Sequence, residues 1–315
     1  MTVDGPGVAS TNAIGVGALL PGFRLGSLPT DEAVDISFAT GGHGPPLLLL
    51  HGHPQTRAMW HRVAKRLSAK FTLVMADLRG YGDSGKPPGD ADHVRYSKRT
   101  MAGDMFVLMR SLGFERFDVI AHDRGARVAH RLAVDHPDAV GRLVLLDVAP
   151  TLAMYEQTTE AFARAYWHWF FLIQPAPLPE RLIAADPDAY VREVMGRRSA
   201  GLAPFDPRAI AEYRRCLAHP GAAHAVCEDY RASAGIDLEH DRADRGSGRG
   251  LTMPVLVLWG QHGVVHRCFA PLEEWRRVAL DVRGRPLPCG HYIAEEAPER
   301  LLDEVLPFLT EGDRT

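Results

Sequence analysis

The chain is expected to fold as an α/β protein built on a mostly parallel sheet with helices on both faces. From residue 47 onward, short apolar runs recur: "LLLLHG", "FTLVMAD", "FDVIAHD", "RLVLLDVAP" and, much later, "MPVLVLWG". Continuous Val, Leu and Ile runs are what strands buried on both faces require. Longer amphipathic segments separate them and supply the covering helices. The 315 residues, 46% of them apolar, suffice for one large domain or for a core carrying a modest insert.

Between Pro150 and about Gly250 the pattern changes. Aromatic-rich helical stretches such as "AFARAYWHWFFLI" and "DPRAIAEYRRCLA" are broken by proline knots such as "QPAPLPE", and no strand-like run occurs. The charged, glycine-rich "EHDRADRGSGRG" leads back to the sheet. Residues 1–150 and 251–315 are therefore expected to form the core, and 151–250 a helical cap over the C-terminal edge of the sheet.

Composition narrows the partners. A formal charge of -3, spread evenly along the chain, leaves no basic face for a phosphate backbone, so nucleic acid is not expected. No apolar run approaches the roughly 20 residues needed to cross a bilayer. "AIGVGALLPGF" near the start lacks a basic leader and a cleavage site, so a cytoplasmic protein without membrane contact is expected. Cys216, Cys227, Cys268 and Cys289 are scattered without C-x-x-C spacing, which fits reduced thiols better than a disulfide frame or a zinc site.

In open α/β sheets ligands bind at the carboxyl ends of the strands. "FDVIAHDRGARVAHRLA" places an aspartate, two arginines and a glycine at such an end, reading as strand, tight turn and helix with Asp123 at the turn. That is the nucleophile elbow of α/β hydrolases, in which small residues stand two positions either side; here they are Ala121 and Gly125. An aspartate at the elbow constrains the reaction. Displacing a leaving group from a tetrahedral carbon with serine would leave an inert ether, whereas a carboxylate leaves an ester that water can cleave. The residue therefore argues for breaking carbon–halogen or strained carbon–oxygen bonds; the alternative is that Asp123 merely caps the following helix.

Ester hydrolysis needs a base, and "PLPCGHYIAEEAPERLLDEVLPFL" sets His291 in a loop before the final amphipathic helix, last in chain order as in α/β hydrolases. The acid that orients it cannot follow "VLVLWG", where the chain reads "GQHGVV"; Asp147, at the end of "RLVLLDVAP", takes that role. Oxyanion donors are expected from the backbone N–H of Arg124 and of His53, whose side chain either faces the substrate or packs. Arg124 and Arg127, one helical turn apart, can grip a carboxylate or phosphate, or can serve as a structural ion-pair network.

These segments, together with "HGHPQTRAMWHRVA", "LLDVAPT", "YWHWFFLIQPAPLPE", "FDPRA", "CEDYRA" and "GHYIAEEAP", resemble the fluoroacetate dehalogenases of the α/β hydrolase superfamily from about Gly44 to Phe308. Haloalkane dehalogenases and epoxide hydrolases generally carry tryptophan after the aspartate, where this chain has Arg124. The resemblance implies a cap inserted after the sixth strand, Asp123 as nucleophile, His291 as base and Asp147 as its partner. It also implies a substrate carboxylate on Arg124 and Arg127, a halide pocket of His168, Trp169 and Tyr230, no metal or organic cofactor, and a possible homodimer. An imidazole, an indole and a phenol are three neutral donors suited to developing fluoride. Two departures bear on preference: relatives usually have phenylalanine at His53, and many have a pocket tryptophan where "VMGRRSAGLAPFDP" has none. The expected reaction is hydrolysis of small 2-haloacids to 2-hydroxy acids. The rivals are an epoxide hydrolase using the same triad, with Tyr166 or Tyr230 as acid, and a non-catalytic sensor of organic acids.

Overall fold

The computed structural model describes residues 15–30 and 33–311. Its centre is one eight-stranded sheet: β1 (Arg24–Pro29), β2 (Asp35–Gly42), β3 (Pro46–Leu50), β4 (Thr72–Ala76), β5 (Phe117–His122), β6 (Val140–Leu146), β7 (Val255–Gly260) and β8 (Val282–Leu287). The spatial order is β1-β2-β4-β3-β5-β6-β7-β8. β1 and β2 run antiparallel to their neighbours, and every pairing from β4 through β8 is parallel. The five apolar runs read from the sequence became β3 to β7. Leu47 to Leu50 are wholly buried, as helices on both faces demand.

The strands not anticipated are the edge strands β1 and β8, and β2, which pairs with β1. β1 and β8 alternate exposed and covered residues, with Arg24 in one and Arg283 and Arg285 in the other, so neither shows a continuous apolar run. A sheet edge faces water along one side, which removes the signal that marks a central strand.

Eight helices, from Thr151–Glu156 to Ile236–Ser247, lie between β6 and β7, and no strand occurs among them. They are tied to the core helix Asp123–Asp135 by charge. Arg131 pairs with Asp241 at 3.0 Å and with Asp244 at 2.6 Å, both on the last inserted helix. Arg124, Arg127, His130 and Arg131 are all buried, because the insert covers what would otherwise be a solvent-facing helix surface. Among the described residues no helix is long and apolar enough to cross a membrane. All four cysteines are free of disulfides.

The turn from β5 into the helix Asp123–Asp135 is tight because that helix lies directly on β3. The Gly125 N–H donates to the His51 carbonyl at 2.9 Å. A Cβ at Gly125 would stand 2.4 Å from that same oxygen, so only glycine fits. Gly125→Ala is expected to destabilise the fold by about 1–3 kcal/mol, the cost of overpacking a filled interior. Urea unfolding should show a lower midpoint at an unchanged slope.

Candidate active site

Asp123 and Asp147 end β5 and β6 with φ of 48° and 47°, left-handed values that non-glycine residues rarely adopt. Such strain persists only where the surroundings impose it. At Asp123 the opposing position is Gly52, whose absent Cβ would fall 2.4 Å from that of the aspartate. The left-handed turn lifts the Asp123 carboxylate out of the strand line and over the carboxyl end of the sheet. There Oδ1 accepts the backbone N–H of His53 at 3.0 Å. Oδ2 lies 3.7 Å from His291 Nε2 and accepts from Arg198 Nη2 at 3.3 Å. Burial pushes this carboxyl up, but the nearby guanidiniums, Arg198 above all and then Arg124, outweigh it and hold the group well below the usual carboxylate range. The site therefore holds an ionised carboxylate shielded from water.

His291 Nδ1 meets Asp147 Oδ2 at 2.5 Å, and Asp147 Oδ1 accepts the Gly260 N–H at 2.8 Å. The proton thus sits on Nδ1, which leaves the Nε2 lone pair pointing toward Asp123. Burial, reinforced by Arg198 and His122, holds the imidazole well below its ordinary value. Burial likewise pushes the Asp147 carboxyl up to about 8, against the pull of the Gly260 N–H and Arg198. The imidazole is therefore neutral, with its proton held on Nδ1 by Asp147, and able to take a second proton at Nε2. His122, held down to about 4 chiefly by burial, pairs through Nε2 with the His291 carbonyl at 3.0 Å and fixes the loop.

The two arginines after Asp123 play different parts. Arg124 gives Nε and Nη2 to the two oxygens of Asp229, each at 2.8 Å, and Nη2 also reaches Ser233 Oγ at 2.6 Å. Asp229 in turn accepts from Tyr81 and from Lys98 Nζ. Arg127 donates, among the described residues, to neutral groups: the Ala149 carbonyl, Thr151 Oγ1 at 2.8 Å and Met154 Sδ. Burial, and then Arg124, hold its guanidinium below its ordinary value.

The inserted helices bring His168, Trp169 and Tyr230 around the same volume. The His168 and Tyr230 rings lie 6.0 Å apart and those of Trp169 and Tyr230 6.4 Å apart. The Arg124 guanidinium stacks on Tyr230 at 4.0 Å and that of Arg127 on Trp169 at 4.7 Å. The His53 ring joins this cage, 5.5 Å from Tyr230 and 6.3 Å from His168, with Nε2 on the Tyr190 hydroxyl at 3.0 Å. Six buried polar atoms here have no hydrogen-bond partner among the described residues: Arg124 Nη1, Arg127 Nε, His168 Nε2, Trp169 Nε1, Tyr230 OH and His53 Nδ1. Unsatisfied buried donors are costly, and here several gather around one carboxylate.

The α/β hydrolase fold family matches residues 45–298. A fluoroacetate dehalogenase of Burkholderia sp. is 47% identical over 283 residues, covering 89% of this chain and 92% of that protein. The chain belongs to the fluoroacetate dehalogenase family. This dehalogenase-type hydrolase is also 34% identical over 280 residues to a soluble epoxide hydrolase of Corynebacterium sp., covering 86% of this chain and 92% of the relative. An α/β hydrolase structure from Nostoc sp. superposes with a TM-score of 0.90 at 51% identity, covering 92% of this chain and 99% of that one.

Sequence reasoning did not single out two residues of this dehalogenase's chamber. Asp229 binds the Arg124 fork and sits beside Tyr230; a buried acid on an inserted helix carries no pattern of its own. Arg198, in "GRRS", reads as part of an exposed basic pair, yet it is buried and donates to Asp123, Tyr166 and His291 Nε2. The pocket-tryptophan region of the resemblance thus places a guanidinium in the chamber. Elsewhere Asp83, Glu212 and Cys216 bring possible metal-ligand atoms within 4.8 Å of one another. Arg215 and Arg57 already neutralise those carboxylates and occupy the place of a cation.

Asp229→Asn would leave Arg124 and Lys98 short of their shared buried counter-charge. We expect a loss of about 3–5 kcal/mol, the cost of breaking one side of a buried pair. Chemical denaturation measures it, and an unchanged midpoint would show that the network is not holding the insert to the core.

Proposed function

We propose that the protein hydrolyses small 2-haloacids to 2-hydroxy acids and halide through a covalent ester on Asp123. The observation carrying this reading is the arrangement at that carboxylate: Oδ2 faces the His291 base at 3.7 Å, while Oδ1 rests on the His53 N–H at 3.0 Å. The two oxygens thus divide the work. Oδ2 attacks the halogen-bearing carbon in line, and the halide leaves with the bonding pair toward His168, Trp169 and Tyr230. Arg127, aided by the free Nη1 of Arg124, holds the substrate carboxylate. Water, deprotonated by His291 Nε2, then adds to the Asp123 carboxyl carbon. The negative charge gathers on Oδ1, where the His53 amide meets it. Collapse releases the hydroxy acid.

The 47% identity to a fluoroacetate dehalogenase supports this assignment, and the 34% identity to an epoxide hydrolase keeps a second reading open. In that reading Tyr230, whose hydroxyl has no partner among the described residues, protonates an epoxide oxygen. Halide release from haloacids set against diol formation from neutral epoxides decides between them.

Three measurements test the mechanism. In the His291→Asn variant a haloacetate should release one equivalent of halide and leave the ester on Asp123, seen as a mass increase of the intact protein; release without that increase contradicts the covalent route. A single turnover in oxygen-18 water should label the Asp123 side chain and leave the product unlabelled. Arg127→Ala should weaken haloacid binding by about 1.5–3 kcal/mol, the scale of a hydrogen bond to a charged group, through KM; unaltered kinetics would assign Arg127 to structure.

A further inference from the structure

The Arg198 guanidinium stands where both chemical steps must happen. Its Nη2 donates to Asp123 Oδ2 at 3.3 Å and to His291 Nε2. Oδ2 must be bare to attack carbon, and Nε2 must be bare to take a proton from water, so the guanidinium has to leave before turnover. Its main chain cannot move far, because the Arg198 carbonyl accepts the His291 N–H at 3.0 Å. The motion is therefore a swing of the side chain. A cavity of about 470 Å³ adjoins it, lined by Arg197, Ser199, His262, Arg267 and Glu296 as well as by Arg198 and His291.

Charge decides what the guanidinium swings toward. Among the described residues Asp123 is its sole carboxylate partner, and ester formation turns that carboxylate neutral. A buried guanidinium without a counter-charge is unfavourable. Among the described residues Arg127 has no carboxylate partner, whereas Arg124 is neutralised by Asp229. Glu296, the carboxylate lining the adjoining cavity, already accepts the Gly290 N–H at 2.8 Å and the Tyr292 N–H at 2.9 Å, so in the ester intermediate the two buried guanidiniums turn to the acid groups of the substrate, and a monoacid satisfies one.

We propose that Arg198 is a specificity-determining residue that turns from Asp123 and His291 onto a second acidic group of the substrate, so that the enzyme prefers 2-halo dicarboxylic acids to haloacetates. This rests on the dehalogenase reading above. Asp123 Oδ2 bonds to C2 as halide departs with its electron pair. Water oxygen adds to the Asp123 carboxyl carbon and its proton passes to His291. The proton then moves to the departing alkoxide, giving a 2-hydroxy dicarboxylate.

The test is halide release from 2-chlorosuccinate and from chloroacetate by the native enzyme and by Arg198→Gln and Arg198→Lys. The native enzyme should favour the diacid in kcat/KM by about tenfold or more. Arg198→Gln should lower that preference about 100-fold, mostly through KM of the diacid, and Arg198→Lys should restore part of it. A native preference for chloroacetate, or a ratio unmoved in Arg198→Gln, overturns the proposal. If the variants fail to fold, calorimetry on the native protein still decides: succinate should bind about tenfold or more tighter than propionate, and equal or weaker binding overturns it. Because that comparison needs no turnover, it judges Arg198 independently; absence of halide release from either acid would count against the dehalogenase reading.

Discussion

An ionised carboxylate buried at a left-handed turn is the constraint on which this structure depends. With Asp123 only 2% exposed, its charge must be met by protein donors, and the chain supplies them from two separate places: the amide of His53 and the guanidinium of Arg198. The close geometry also fixes the small residues. Gly52 makes room for the aspartate Cβ, and Gly125 lets the following helix rest on β3. Asp147, at the equivalent point of the next strand and with nearly the same backbone twist, is what holds the His291 loop in register above it.

The inserted helices complete the chamber by electrostatic matching. Their acids, Asp229, Asp237, Asp241 and Asp244, meet the core cations Lys98, Arg124 and Arg131 across the seam. Arg127 is the exception, its hydrogen-bond partners among the described residues all being neutral. Along this seam, then, the cation one helical turn beyond the elbow stands apart from its paired neighbours. The same pairing explains how a helix carrying four basic or imidazole side chains can be almost entirely buried.

Much of this was legible in the sequence, for identifiable reasons. Central strands bury both faces, so β3 to β7 announce themselves as unbroken apolar runs, and the candidate site groups at strand ends follow from them: Asp123 after β5, Asp147 after β6, His291 beyond β7, which the fold brings together. β1 and β8 escaped because edge strands mix charge with apolar residues. The roles of Arg124 and Arg127 could not be separated by spacing alone, since one helical turn says that two side chains are neighbours but not which of them an acid from another helix neutralises. Arg198 was illegible for the converse reason. An Arg-Arg pair at a helix end is the usual signature of a solvated terminus, and only the packing of the insert onto the His291 loop turns one of the two inward.

The acidity of the cage bears on which bond the chamber suits. Opening an epoxide requires a proton to be delivered to the ring oxygen, so the donating phenol must part with it. Burial holds Tyr166 and Tyr230 well above the ordinary tyrosine value, which makes each a poor acid. A departing halide asks less: it needs hydrogen bonds that strengthen as charge builds on it, and no proton need change hands. Neutral imidazole, indole and phenol donors serve that purpose best when they keep their protons. Burial holds His168 far below its ordinary value, so it too stays neutral. Donors that keep their protons, beside a guanidinium whose hydrogen-bond partners among the described residues are neutral, are what the proposed loss of halide from an anionic substrate would use.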